Sequence, residues 1–263
     1  MLYLNQNRSS ISEAFLKNTA YVSMLIDHFF AIVFYKLVDW LSYQGNPISD
    51  ANTIYRVGRA VGRPAFILFA FMAVEGFKHT HSRPKYLLHL FLFALLSEIP
   101  FDLAFHGKIF MPQSQNTLFT LFLGVLALCL MEYAKGYPAL QAFAVFACGL
   151  LAMLLKTDYM IMGVFLVVIL YLYRKDFFMQ FLAGGVIMYF GIVLNNVYRY
   201  WDFGYPLSRH MKSGAREMYG LAAFLLIFFY NGERGKQLPK LCYYLFYPLH
   251  LIILFYIGRL FSV

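Results

Sequence analysis

Charge is scarce in this chain. Asp, Glu, Lys and Arg make up 13% of its 263 residues, whereas 61% are hydrophobic, and the mean hydropathy is +0.61. A water-soluble domain draws about a quarter of its residues from the charged set and roughly half from the apolar one, so the composition excludes such a domain and names lipid as the solvent. Cysteine is sparse too. Cys129, Cys148 and Cys242 are an odd number without CxxC spacing, and all lie in apolar runs. That excludes a disulfide framework and a zinc ribbon and leaves small buried hydrophobes. Polar linkers and internal repeats are missing as well, which predicts one integral-membrane domain over residues 1–263. The first dozen residues are polar, and the first apolar run is full length without a small-residue cleavage pattern. It is therefore expected to serve as an uncleaved signal anchor.

What is present is aromatic and apolar. Phe and Tyr number 29 and 21, suited to lipid-facing walls and interfacial belts. The net charge of +9 sits in short clusters between apolar runs, where cytoplasmic loops and anionic headgroups account for it and nucleic acid does not. At about 20 residues per span, the hydropathy predicts an all-α polytopic transmembrane bundle of about nine spans. They fall near 15–38, 57–77, 85–105, 117–134, 139–155, 159–173, 177–198, 217–231 and 240–261. Breakers such as Gly45-Asn46-Pro47, Ser82-Arg83-Pro84 and Gly136-Tyr137-Pro138 fill gaps between them. Arg8, Lys17, Lys78, Arg83, Lys85, Lys135, Arg174, Lys175, Arg234, Lys236 and Lys240 mark alternate connections, which places the amino terminus inside and the carboxyl terminus outside. The stretch from Arg199 to Arg216 breaks that rule. It is either a miscounted span or an amphipathic outer segment.

Asp27 and His28 lie near the middle of the first apolar run. Ionisable groups at that depth cost roughly 3 kcal/mol or more each and mark a functional site by default; the plain alternative is that both only pin helix packing. Adjacent helical positions diverge by about 100°, so Asp27 is expected to pair with a basic group on another helix rather than orient His28. Arg59 and Arg63, four apart, share one face of the second span, with Gly58, Gly62 and Pro64 beside them suggesting a close or broken helix start. Glu98 and Asp102 repeat the four-residue spacing around Pro100. Counter-ions to Arg59 and Arg63, a proton relay and a cation site are the three readings of that pair. His79 and His81 lack a third ligand nearby, so no metal is expected.

Several stretches resemble the TraX family of bacterial membrane proteins: MLIDHFFAIVF at 24–34, RAVGRPAFILFAFMAVEGFKHTHSRPKYLLHLFLFALLSEIPFDLAF at 59–105, and FFYNGERGKQLPKLCYYLFYPLHLIILFYIG at 228–258. Residues 135–215 are similar to the family only loosely. A slighter likeness, a basic residue with a histidine eleven positions later in the first helix, is shared by Lys17 and His28 with the acyltransferase-three family. The resemblance implies a multi-pass acetyltransferase of the bacterial cytoplasmic (inner) membrane, with acetyl-CoA as donor and a peptide, glycan or small molecule as acceptor.

Acyl transfer from a thioester needs a base, an oxyanion donor and alignment of two reactants. His28 is the expected base or transient acyl carrier, with Asp27 beside it. Arg59, Arg63, Arg83, Lys85 and Arg234 are expected to hold the CoA phosphates, although positive-inside topology explains basic residues without a ligand and one of Arg59 and Arg63 is expected to meet a carboxylate. Glu75, Glu98, Asp102, Asn116, Tyr247 and His250 are candidates for substrate contact or proton relay. Asn116 also suits a helix cap, and His250 a packing hydrogen bond. A transporter using the intramembrane charges and a non-catalytic assembly factor are the competing functions.

Overall fold

The computed structural model describes residues 11–203 and 215–262, and within them the regular secondary structure is helical apart from two isolated β-bridges. The basic stretch from 199 to 216 falls largely outside the described residues, as does Arg8. In chain order the helices are α1 (Glu13–Ile32), α2 (Phe34–Tyr43), α3 (Ala51–Gly62), α4 (Pro64–His79), α5 (Arg83–His106), α6 (Thr117–Tyr133), α7 (Pro138–Leu154), α8 (Met160–Leu172) and α9 (Phe177–Phe203). A 3-10 turn (Ala215–Ala222) follows, then α10 (Ala223–Phe228) and α11 (Lys240–Leu260).

The all-helical bundle is as expected, but nine full spans are not reached by length and composition. Among the described residues, Ala51–His79, Arg83–His106, Phe177–Leu194 and Leu241–Leu260 are long and apolar enough to cross a membrane, and α1 with α2, bent by 45° at Val33, makes a fifth if counted as one. Helices α6, α7 and α8 are apolar but only 17, 17 and 13 residues long. The stretch read as an eighth span, 217–231, is a 3-10 turn leading into a helix of 6 residues, too short for a hydrocarbon core of about 30 Å.

Lipid explains which faces are bare. Leu88, Leu92, Leu95, Leu96 and Ile99 form one exposed stripe along α5, and Phe178, Phe181, Leu182, Val186 and Phe190 do the same on α9. Patches of that size are not kept open to water, whereas backbone paired within helices lets such stripes face acyl chains. The interior is built around α4, where Ala65 to Leu68, Ala70, Phe71, Ala73 and Val74 are buried. It packs on α1, α6, α8 and the 3-10 turn.

Two ends of the bundle can be assigned from loop contacts. At the first, Ile11 N–H donates to the Phe229 carbonyl, Glu13 N–H to Glu233 and Ala14 N–H to Arg234, Arg83 meets Glu132, and Tyr171 donates to Glu132. Gly235 has φ +64 there and passes against Ser12, the N-cap of α1. At the second end, Gln115 N–H donates to Lys156, Thr117 to Asp158 and Thr120 to Thr157.

α3 approaches α1 through a GxxxG pattern. A Cβ at Gly58 would strike the Phe30 ring, and one at Gly62 would strike Asp27. Small residues at this spacing let helix backbones close up, and that closeness carries Arg59 and Arg63 to Asp27. Gly62→Ala is accordingly expected to lower stability by about 1–3 kcal/mol, the usual range for overpacking a tight contact, read as a lower unfolding midpoint in detergent micelles.

Candidate functional site

A single face of α1 carries Glu13, Lys17, Tyr21, Met24 and His28, a helical stripe that borders a cavity of about 870 Å3. That volume lies within the range of roughly 300–1,000 Å3 usual for small-molecule sites. The wall includes residues from both ends of the bundle. Lys17, Glu75, His79, His81, Lys85 and Arg234 line it at the first end; Arg59, Arg63, His106, Ser114, Thr117 and Asp158 line it toward the second. Between them run apolar and aromatic side chains, among them Phe69, Leu90, Phe101, Phe105 and Tyr247. Lys17 and His28 are eleven residues apart, so the stripe carries the wall about 16 Å along the bundle.

Aromatic rings surround His28. Phe105 meets it edge-on at 5.3 Å between centroids, and Tyr247 lies 6.2 Å away. Its Nδ1 is 2.7 Å from Nε2 of His250, brought from the other end of the sequence by the packing of α11 on α1. Tyr21 helps hold that packing by donating to the Tyr243 carbonyl at 2.9 Å. The Tyr247 hydroxyl is buried beside Thr117 and makes no hydrogen bond of good geometry among the described residues, and Tyr247 borders the cavity.

Asp27 turns away from His28 and pairs with basic groups on another helix, as the 100° divergence requires. Arg59 Nη1 donates to its Oδ2 at 2.7 Å and to its backbone carbonyl at 3.0 Å. Arg63 Nη2 reaches Oδ1 at 2.8 Å, while Arg63 Nη1 reaches Glu217 at 2.7 Å. The four groups balance to zero charge. Both arginines therefore meet carboxylate, where only one was expected to, and Arg63, with both terminal nitrogens engaged, is a structural partner more than a free ligand clamp.

Glu98 and Asp102 do not neutralise Arg59 and Arg63. Glu98 accepts from the side chain and backbone N–H of Asn116, and Asp102 accepts from Met111 N–H at 2.7 Å. Both carboxylates sit late on α5, where the loop before α6 presents its N–H groups, so the counter-ion reading is corrected. Asn116 caps α6, its Oδ1 accepting from Leu118 N–H, and also donates to the Ala94 carbonyl. None of Glu98, Asp102, Asn116 and His250 borders the cavity, and neither does Arg83, whose guanidinium lies over the Phe77 ring and faces Glu132. Glu75 does, paired with Lys78 at 2.7 Å. No group of three His, Cys, Asp or Glu side chains among the described residues is placed to hold a metal ion.

The family model described as "TraX protein" matches residues 12–258, nearly the whole of this architecture. The chain belongs to the TraX family. Among curated relatives, the probable fimbrial assembly protein FimC, serogroup H1, of Dichelobacter nodosus is 29% identical over 248 residues, covering 91% of this chain and 92% of the relative. No solved structure matches the chain. This TraX-family protein is a membrane protein, and the stretches that carry the resemblance fall where its cavity is built: Asp27 and His28 on α1, Arg59 to Phe105 across α3, α4 and α5, and Arg234 to Tyr247 before and within α11. The His28–His250 contact was not legible beforehand. Its signal is that both histidines lie deep in apolar runs, each in need of a partner.

Proposed function

We propose that this chain is a multi-pass acetyltransferase of the bacterial inner membrane that moves an acetyl group from cytoplasmic acetyl-CoA to an amine or hydroxyl acceptor. The observation that supports it is one cavity bordered by basic side chains at the first end and by His28 farther along. Lys17, Lys85 and Arg234 suit the phosphates of CoA, and the aromatic interior suits a slender thioester arm that ends at His28. The acceptor enters from the second end. His28 Nε2 removes its proton while the nitrogen or oxygen attacks the thioester carbonyl; the C–S bond breaks, and the departing thiolate takes the proton. In the covalent variant, His28 carries the acetyl group itself. The fimbrial name of the relative makes a surface-fibre subunit an acceptor to try first, beside glycans and small molecules.

Proteoliposomes given labelled acetyl-CoA on one face and an envelope extract on the other test this reading. Labelled acceptor and stoichiometric free CoA are the expected result. Solute flux with no CoA released would favour a transporter instead, which the same passage could serve.

The buried Tyr247 hydroxyl, held beside Thr117 without a hydrogen bond of good geometry, is the donor we assign to the thioester oxygen as negative charge builds on it. Tyr247→Phe is expected to lower kcat by about 10²–10³-fold, the usual loss for an oxyanion donor. Stability should change little, because the hydroxyl makes no hydrogen bond of good geometry to lose. Turnover and the unfolding midpoint, measured on one preparation, separate this from a packing role.

A further inference from the structure

The hydrogen-bond chain through the two histidines fixes where their protons lie. His250 Nδ1 is 2.7 Å from the backbone carbonyl of Phe246, one turn earlier on α11. A carbonyl oxygen only accepts, so this nitrogen carries a hydrogen. In a neutral imidazole the other nitrogen then holds the lone pair, and His250 Nε2 is an acceptor. The group facing it at 2.7 Å is His28 Nδ1, with the two ring planes 6° apart and their centroids 5.0 Å apart. His28 Nδ1 is therefore the donor, and its lone pair is on Nε2, the far side of the ring from His250. His250 is 5% exposed and absent from the cavity wall, whereas His28 is part of it. The nitrogen left bare is the one on the side of the ring that His250 does not occupy.

We infer that His250 is a positioning residue for His28: it selects the tautomer whose bare nitrogen meets substrate, and it receives a proton in turn. This rests on the reading of His28 as the base. When Nε2 takes the acceptor's proton, the hydrogen on Nδ1 passes to His250 Nε2. His28 is then neutral with its hydrogen on Nε2, and His250 is an imidazolium donating to both the Phe246 carbonyl and His28 Nδ1. The same path runs backward when the thiolate leaves, so atoms and charge balance without another reactant. Sharing the proton spreads the charge over two rings in a region that already holds Arg59 and Arg63.

Protein labelled with 15N-histidine in nanodiscs tests the pair, with His28→Gln and His250→Gln for assignment. The expected spectrum has a protonated Nδ1 and a bare Nε2 on His28; a bare Nδ1 on His28 overturns the inference. Two variants add a kinetic test. His250→Phe fills the volume but offers no acceptor, and kcat should fall roughly 10²-fold with KM for acetyl-CoA unchanged. His250→Gln places an acceptor oxygen near the same spot and should recover turnover to within about tenfold. Equal loss in both variants, or a loss confined to KM, would count against positioning. The spectrum needs no turnover, so it decides the pair even if no acetyl transfer is found, in which case only the function proposed above falls.

Discussion

Replacing His28 with asparagine should reduce acetyl transfer by about 10²–10⁴-fold, the range a general base contributes, and should abolish it outright if the ring carries the acetyl group. Asparagine is a more informative change than alanine. Alanine leaves His250 Nε2 facing a gap and an unsatisfied buried acceptor, at a cost of about 1–3 kcal/mol, so lost activity could be mistaken for lost fold. The asparagine amide can still donate to His250, while its acid–base chemistry is gone. Rapid mixing of wild-type protein with acetyl-CoA alone then separates the two mechanisms. A covalent route releases a burst of CoA equal to the enzyme present, and direct transfer releases none until acceptor is added. Unchanged labelling of acceptor by the His28→Asn protein would remove His28 from the chemistry while leaving the fold as described.

Helices were the most legible part of the molecule because their apolar runs end at strong punctuation. Pro138 opens α7 at its first position, Asn116 caps α6, and Gly107, with φ +66, closes α5. Where punctuation is missing, the reading blurred. Val33 has no proline or glycine beside it, yet α1 and α2 meet there at 45°, where Ile32, Val33 and Phe34 are all buried. α3 begins at Ala51, six residues before the apolar run suggested, because its first turns are polar and amphipathic. The 217–231 stretch is apolar enough for a span but is shortened where Gly220 packs against the Arg63 backbone. Charged partners followed the same logic. That Asp27 needed a cation on another helix was readable from its depth and helical phase, and the four-residue spacing of Arg59 and Arg63 supplied two. Of the three readings of Glu98 and Asp102, the counter-ion one fails because composition offers matching charges without saying which end of a helix faces which loop. His250 is 222 positions from His28, and only the docking of α11 on α1 brings them together.

Asp27→Asn is expected to be the most damaging change to stability, about 3–5 kcal/mol, because it breaks a buried ion pair from one side. Asp27 is 14% exposed, Arg63 10% and Arg59 21%, so water can do little to screen what is left. Asparagine offers one carbonyl oxygen where two guanidiniums now share a carboxylate, and Glu217, which pairs with Arg63, would be the remaining carboxylate in direct contact with the arginines. A companion substitution tests whether uncompensated charge is the cause. Arg59→Met restores neutrality and keeps a long apolar stem against α1, so the Asp27→Asn, Arg59→Met double variant should be more stable than Asp27→Asn alone. Neighbouring sites that share a partner couple by about 0.5–3 kcal/mol, which sets the recovery to look for in denaturant titrations in mixed micelles. Should the double variant instead be the sum of its parts, the cluster holds α1 to α3 through packing across Gly62 and not through charge. The same protein reports on the cavity, because Arg59 borders it. If the double variant folds and its KM for acetyl-CoA is unchanged, Arg59 serves the scaffold and the donor phosphates lie wholly on Lys17, Lys85 and Arg234 at the first end.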